Sequence, residues 1–284
     1  MSGPTPTETL DTARREGLPS GSRLQGMHLT NGLHVLAAEV PDARQLRLVG
    51  AVGAGYLDEP MAHRGLAHLL EHALFLGSAG FPGESELSRW IGLLGGRYNA
   101  CTGESTTDIH LHLPPEATEE GLARLVDLLG RPLLVPERIA HEVGVLDAEY
   151  RARLADPALH RLAALGRLYR PGHPGRACHA GNRATLGQDT EGLVGHLEDF
   201  HRRHYRPEHM ALVMLGPLPL ERQLELLAHH AMGWMHPPPR QAPARGRPRP
   251  AVGVNRVASP GVCRKPPPAP PLRLSSCSGR CPTT

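Results

Sequence analysis

The chain has 284 residues, 40% hydrophobic and 21% charged, an ordinary globular balance with ample length for a core. No run approaches the ~18 apolar residues of a membrane span, and the opening MSGPTPTETLDTARREG carries acidic residues without an apolar segment, so neither a spanning helix nor a secretory leader is read from it. The net charge of +3 divides unevenly: nine of the 31 basic residues and none of the 28 acidic ones fall in 237–284, which leaves 22 basic against 28 acidic side chains in residues 1–236.

Along the chain, 1–25 reads as an N-terminal extension. Residues 28–53 predict strands, HLTNGLHVLAAEV alternating around the turn signal Asn31-Gly32 and LRLVGAVGAG following. A helix is predicted from Gly65 to Leu76 and stopped by Gly77, and a second from Glu84 to Leu94 before Gly95-Gly96. Arg97–Thr102 and Thr107–Leu113 read as paired strands, the second alternating as DIHLHL. Helices follow over 118–129, over 137–154 behind Pro136, over 159–169 and over 190–205. A buried strand at 210–216 and a last helix over 220–232 complete the body, 26–236. The pattern predicts an α+β fold: a mixed, largely antiparallel sheet with helices packed on one face.

The stretch AHLLEHALFLGS (67–78) sets His68, Glu71 and His72 in an otherwise apolar run. Positions i and i+4 share a helix face, so His68 and His72 can offer two imidazole nitrogens to one ion with Glu71 beside it. Zinc suits that donor set and lowers the pKa of a bound water, and Glu71 is placed to act as general base and then general acid. The order is the inverse of HExxH. A third ligand is sought in HEVGVLDAEY, where Glu142 and Glu149 stand seven apart on one helix face among apolar neighbours. A solvated face with both carboxylates paired to Arg138 or Arg153 accounts for that helix equally well. Cys101, with no evident base partner, reads as a small packed side chain. GAGYLD lacks the third glycine of a dinucleotide loop.

The segments GAGYLDEP (53–60), RGLAHLLEHALFLGS (64–78), FPGESELSRWI (81–91), GGRYNACTGESTTDIHLHLP (95–114) and HEVGVLDAEY (141–150) together resemble the insulinase (pitrilysin) family of zinc metallopeptidases, over about the first 216 residues. The separation of 77 positions from His72 to Glu149 agrees with the family's spacing. The resemblance implies a Zn2+ cofactor held by His68, His72 and Glu149, Glu71 as the base, and Glu142 as an outer carboxylate orienting the site. It also implies an insulinase-like domain in which a peptide substrate adds as a strand along Asn99, Ala100 and Thr102. LFLGS and GHPGRACHAGNRATL (172–186) look like the family's long-chain insulysin branch, and within that branch PxxxRGLAHLLEH, HAGNRATL and DFHRRHYRPEHMALVMLGP are most similar to the peptidases that trim a precursor peptide in pyrroloquinoline quinone biosynthesis.

Family members close a chamber from two similar halves, so a second-half domain or a partner subunit is the expected partner. Without one, the rival reading is an inactive half that only binds peptide or a subunit. Residues 237–284 hold 13 of the 29 prolines and no periodicity, which predicts a disordered Pro/Arg-rich tail. A basic arm for nucleic acid competes there with an out-of-frame, non-native end, and the second is favoured. No membrane partner is expected. Five cysteines without framework spacing point to a reducing compartment, the cytoplasm.

Overall fold

The computed structural model describes residues 8–10, 18–83, 86–176, 179–187, 189–231 and 234. Seven strands form one sheet: β1 (Glu8–Leu10), β2 (Arg23–His28), β3 (His34–Glu39), β4 (Leu46–Val52), β5 (Arg97–Thr102), β6 (Thr107–Leu113) and β7 (Met210–Gly216). Their order is β1-β2-β3-β7-β4-β6-β5, antiparallel throughout except for the β3/β7 pair. This is the expected α+β architecture. The sheet reaches further towards the N-terminus than composition suggested. Glu8–Leu10 and Arg23–Gln25, inside the stretch read as an extension, pair as strands, with Glu8 opposite His28 and Arg23 opposite Glu39.

Among the described residues, eight helices accompany the sheet: α1 (Leu66–Leu74), α2 (Glu86–Leu93), α3 (Thr118–Gly130), α4 (Pro136–Arg153), α5 (Pro157–Gly166), α6 (Arg183–Leu186), α7 (Thr190–His204) and α8 (Leu220–Ala231). Most fall within a residue or two of their predicted spans. Two differ more. α5 starts at Pro157, which suits a first helical position, and Leu168 and Tyr169 leave it as successive turns. α6, too short for a periodic signal, begins because the Asn182 side chain accepts from the Ala184 and Thr185 amides. The expected tail over 237–284 lies outside the described residues.

Strand register decides which side chains meet the helices. Opposed residues point to the same face, so the register aligns Ala100 with Ile109, Gly50 and Leu212 across four strands. That face carries the buried Leu48, Val52, Leu111, Leu113 and Met214. α3 lies directly on it: a Cβ at Gly50 would sit 2.3 Å from a Leu129 methyl, and one at Gly121 would meet Leu113 at 2.3 Å and Leu48 at 3.3 Å. The opposite face presents Arg47, Asp108, His110 and His112, none of them fully buried.

α1 sits at the β5 end of the same face, between β5 and α4. All its residues except His68 and His72 are buried, which leaves the two imidazoles on its one open rim. Glycine sets where the helix begins. Gly65 caps it at φ +92°, and a Cβ there would lie 2.2 Å from the Gly181 Cα. Gly65→Ala therefore meets both an unfavourable dihedral and a backbone clash. It is expected to lower stability by at least about 1–3 kcal/mol, read as a drop in the thermal midpoint; an unchanged midpoint would mean the α1 start can move.

Candidate metal centre

α1 and α4 cross with their polar rims facing. One ligand-capable atom each from His68, His72 and Glu149 lies within 4.8 Å of the others. The two rings stand edge to face, their centroids 4.8 Å apart at 87°. Each imidazole is fixed from behind. His68 donates from Nδ1 to the Ala180 carbonyl at 2.7 Å, and His72 donates from Nδ1 to Glu142 Oε2 at 3.0 Å. Because a carbonyl or carboxylate oxygen only accepts, Nδ1 carries the hydrogen in each ring and Nε2 is left with a lone pair. Those two nitrogens face Glu149, at 3.9 Å from His68 and 3.8 Å from His72.

Three acceptors thus converge, and neither Nε2 offers the carboxylate a hydrogen, an arrangement that a cation relieves. Ligand atoms around a tetrahedral zinc with bonds of ~2.0–2.1 Å would stand roughly 3.3 Å apart, so the cluster is slightly more open than a closed site. The electrostatics agree. Burial pulls the His72 imidazole down, but the Glu142 hydrogen bond and the charges of Glu149, Glu142 and Glu71 outweigh it and hold it above its ordinary value. The His72 hydrogen bond in turn holds Glu142 below the usual carboxylate range, against the upward pull of burial.

Glu142 and Glu149 share a face of α4, as their seven-residue spacing predicted, directly beside the buried Ile139, Val143 and Leu146. Glu149 also has Arg153 at 3.6 Å, so one ion pair of the solvated-face reading is present alongside the cluster. Arg138 turns instead to the carbonyls of Leu76 and Pro82.

Glu71 is buried beside the cluster and accepts a hydrogen bond from the Thr102 hydroxyl. This contact puts the inner side of β5, with Thr102 and Ala100, towards α1, and Tyr98 likewise packs its ring 5.1 Å from Phe75. Asn99 and Cys101 point to the other face. Cys101 is exposed rather than packed, and partial burial with the charges of Asp108 and Glu71 pushes its thiol up, away from nucleophilic use. Behind Glu71 lies the fully buried Tyr205, whose phenol is pushed up by burial and by the Glu71 charge. β5 ends the strand order, so its outer edge has no strand partner among the described residues.

Sequence reading missed three participants: the Ala180 carbonyl, Thr102 as the partner of Glu71, and Tyr205. A backbone carbonyl leaves no mark in composition. Thr102 shows only as an inward position of an alternating hairpin.

Residues 35–171 match the family described as Insulinase (Peptidase family M16), and residues 194–265 match the Peptidase M16 inactive domain. Coenzyme PQQ synthesis protein F of Pseudomonas aeruginosa is 41% identical over 224 residues, 79% of this chain and 28% of that protein. Protease 3 of Escherichia coli K12 is 29% identical over 205 residues, 72% of this chain and 21% of that protein. The crystal structure of pitrilysin superposes with a TM-score of 0.73 at 29% identity, over 81% of this chain and 24% of pitrilysin. The chain spans about 28% or less of the length of these curated relatives. With a His-His-Glu cluster seated between the helices of an insulinase-like sheet domain, and with two matches to one peptidase family, the chain belongs to the insulinase peptidases, family M16.

Proposed function

We propose that this chain carries the catalytic domain, extended from the expected 26–236 to take in β1 and all of β2, of a zinc-dependent endopeptidase that trims the precursor peptide in pyrroloquinoline quinone biosynthesis. The observation that carries the reading is the convergence of two oriented Nε2 lone pairs and the Glu149 carboxylate. The pathway rests on the 41% identity to the PQQ synthesis protein.

His68, His72 and Glu149 would hold the zinc, which supplies Lewis acidity and an activated water. Glu71 does the proton work. Thr102 occupies its Oε2, so the other carboxylate oxygen is the one that takes a proton from the attacking water and returns it to the leaving amine. Glu142 keeps His72 in the ligating tautomer. The substrate backbone pairs along the free edge of β5, through Asn99, Ala100 and Thr102, which demands extended peptide more than a particular sequence. A second domain or subunit supplies the far wall of the chamber. No described helix is long and apolar enough to cross a membrane, and a cytoplasmic site of action is part of the proposal.

Glu71→Gln is expected to bind zinc as the unaltered chain does while peptide hydrolysis falls by about 100–10,000-fold. Unchanged turnover of an unstructured peptide would remove Glu71 as the base. If neither protein cleaves, the reading of an inactive, peptide-binding half takes its place. In a competitive zinc titration Glu142→Gln should weaken binding by about 10–100-fold, and Glu149→Gln by more, since it removes a ligand outright. Equal affinities would disprove the ligand set.

Acid should oppose the metal. The raised His72 pKa means that, without metal, its contribution to stability is fully present below the ordinary value of ~6.5 and is lost as pH rises through the folded-state value. Zinc needs the neutral ring, so its stabilisation runs the other way. The rise in thermal midpoint on adding zinc should be large at pH 8 and shrink as pH falls, beginning to shrink above pH ~6.5. A pH-independent rise would place the metal elsewhere.

A further inference from the structure

A second buried polar cluster lies directly behind α1, and the reaction outlined above does not use it. Glu59 follows the single 3-10 turn Tyr56–Asp58, and its side chain is 1% exposed. Its Oε2 accepts from the Gly65 amide at 2.9 Å and its Oε1 from the Ala67 amide at 2.9 Å, which satisfies two free donors at the α1 start. The same Oε2 accepts from His179 Nδ1 at 2.9 Å. His179 is itself buried, with Nε2 2.9 Å from the Pro174 carbonyl and its ring stacked on Tyr56 at 4.3 Å.

The next residue is Ala180, whose carbonyl orients His68. After it comes Gly181, in a left-handed conformation and pressed so closely on Gly65 that a Cβ on either would meet the other's Cα, at 2.2 Å from Gly65 and 3.2 Å from Gly181. Asn182 then caps α6. The 179–182 segment is therefore held at one end by Glu59 and at the other by its own helix cap, and the carbonyl between them sets a ring.

We propose that Glu59 and His179 are a positioning pair that fixes His68 in its ligating tautomer through the Ala180 carbonyl, and so sets the metal affinity of the site. The metal part of this inference rests on the zinc reading above; the tautomer part does not. Neither residue touches substrate or the ligating atoms. Glu59 acts on both partners of the His68 hydrogen bond at once, because it anchors the start of the helix that carries the ring and the loop that carries the acceptor. A carboxylate without such partners would be costly at 1% exposure, and its three donors all belong to these two segments.

Three variants of the full chain test it: Glu59→Gln, His179→Phe and, as a control, Gln223→Leu. His179→Phe keeps a ring against Tyr56 and leaves Glu59 bonded to Gly65 and Ala67, so it stands if Glu59→Gln fails to fold. Gln223 is fully buried on α8 and donates to the Ala38, Gly216 and Leu218 carbonyls, at the β3 and β7 strand ends, so its loss destabilises the fold without touching α1. Long-range imidazole 1H–15N spectra of the metal-free protein, with the His68 signals assigned by their loss in His68→Gln, read the tautomer. Chelator competition reads the zinc affinity. The expected result is a single Nδ1–H tautomer for His68 in the unaltered chain and in Gln223→Leu, and an averaged one in the two pair variants. Their zinc binding should be weaker by about 10–100-fold, with that of Gln223→Leu unchanged. Folded pair variants with an unaltered His68 tautomer and unaltered affinity would overturn the proposal. An unaltered chain that binds no zinc would overturn the metal reading, while the tautomer spectra would still decide whether the pair orients His68.

Discussion

An imidazole presents one nitrogen in a fixed direction when the other is held by an acceptor, and the open rim of α1 meets that condition twice. His68 meets it with a backbone carbonyl and His72 with a carboxylate. Without those two contacts the rings would be free to present either nitrogen, and the i, i+4 spacing on α1 would yield two half-exposed histidines and no convergent site. α4 and the loop before α6 hold these acceptors within about 3 Å of rings on a helix that is otherwise buried, and Glu59 ties the start of that helix to the same loop.

Sheet register is the second constraint. Side chains alternate between faces, so moving β5 by one residue against β6 would turn Thr102 away from Glu71 and bring Asn99 and Cys101 to α1. The aligned row Ala100, Ile109, Gly50 and Leu212 opposes the slip, because the other parity of β5 would set Arg97, Asn99 and Cys101 against the helix layer in place of Tyr98, Ala100 and Thr102. A glycine at position 50 also lets α3 approach the sheet. The apolar packing that stabilises the sheet is thereby the same packing that aims the hydroxyl at the carboxylate.

Much of this was legible beforehand. Alternation, paired strand-like runs and one short apolar run located β3 to β7, and helical spacing located α1, α3, α4, α7 and α8, because each element's pattern is written within its own residues. The His68, Glu71 and His72 trio and the Glu142 and Glu149 pair were visible for the same reason: i, i+3, i+4 and i+7 describe one helix face. β1 and the start of β2 were not visible, since short strands in a Pro- and Gly-containing stretch show no alternation until a partner strand is present.

By itself, then, the sequence determined which residues could act together within one helix, where most helices and strands lie, and the family to which the chain belongs. Only the tertiary structure decided that α1 and α4 face each other, that Thr102 reaches Glu71, and that Glu59 and His179, 120 residues apart, close on one another beneath the site. The difference is physical. Periodicity is a local property of the backbone, whereas the distance between two elements is set by how their buried faces pack, and a carbonyl such as that of Ala180 takes its role from where the chain passes and not from which residue it belongs to.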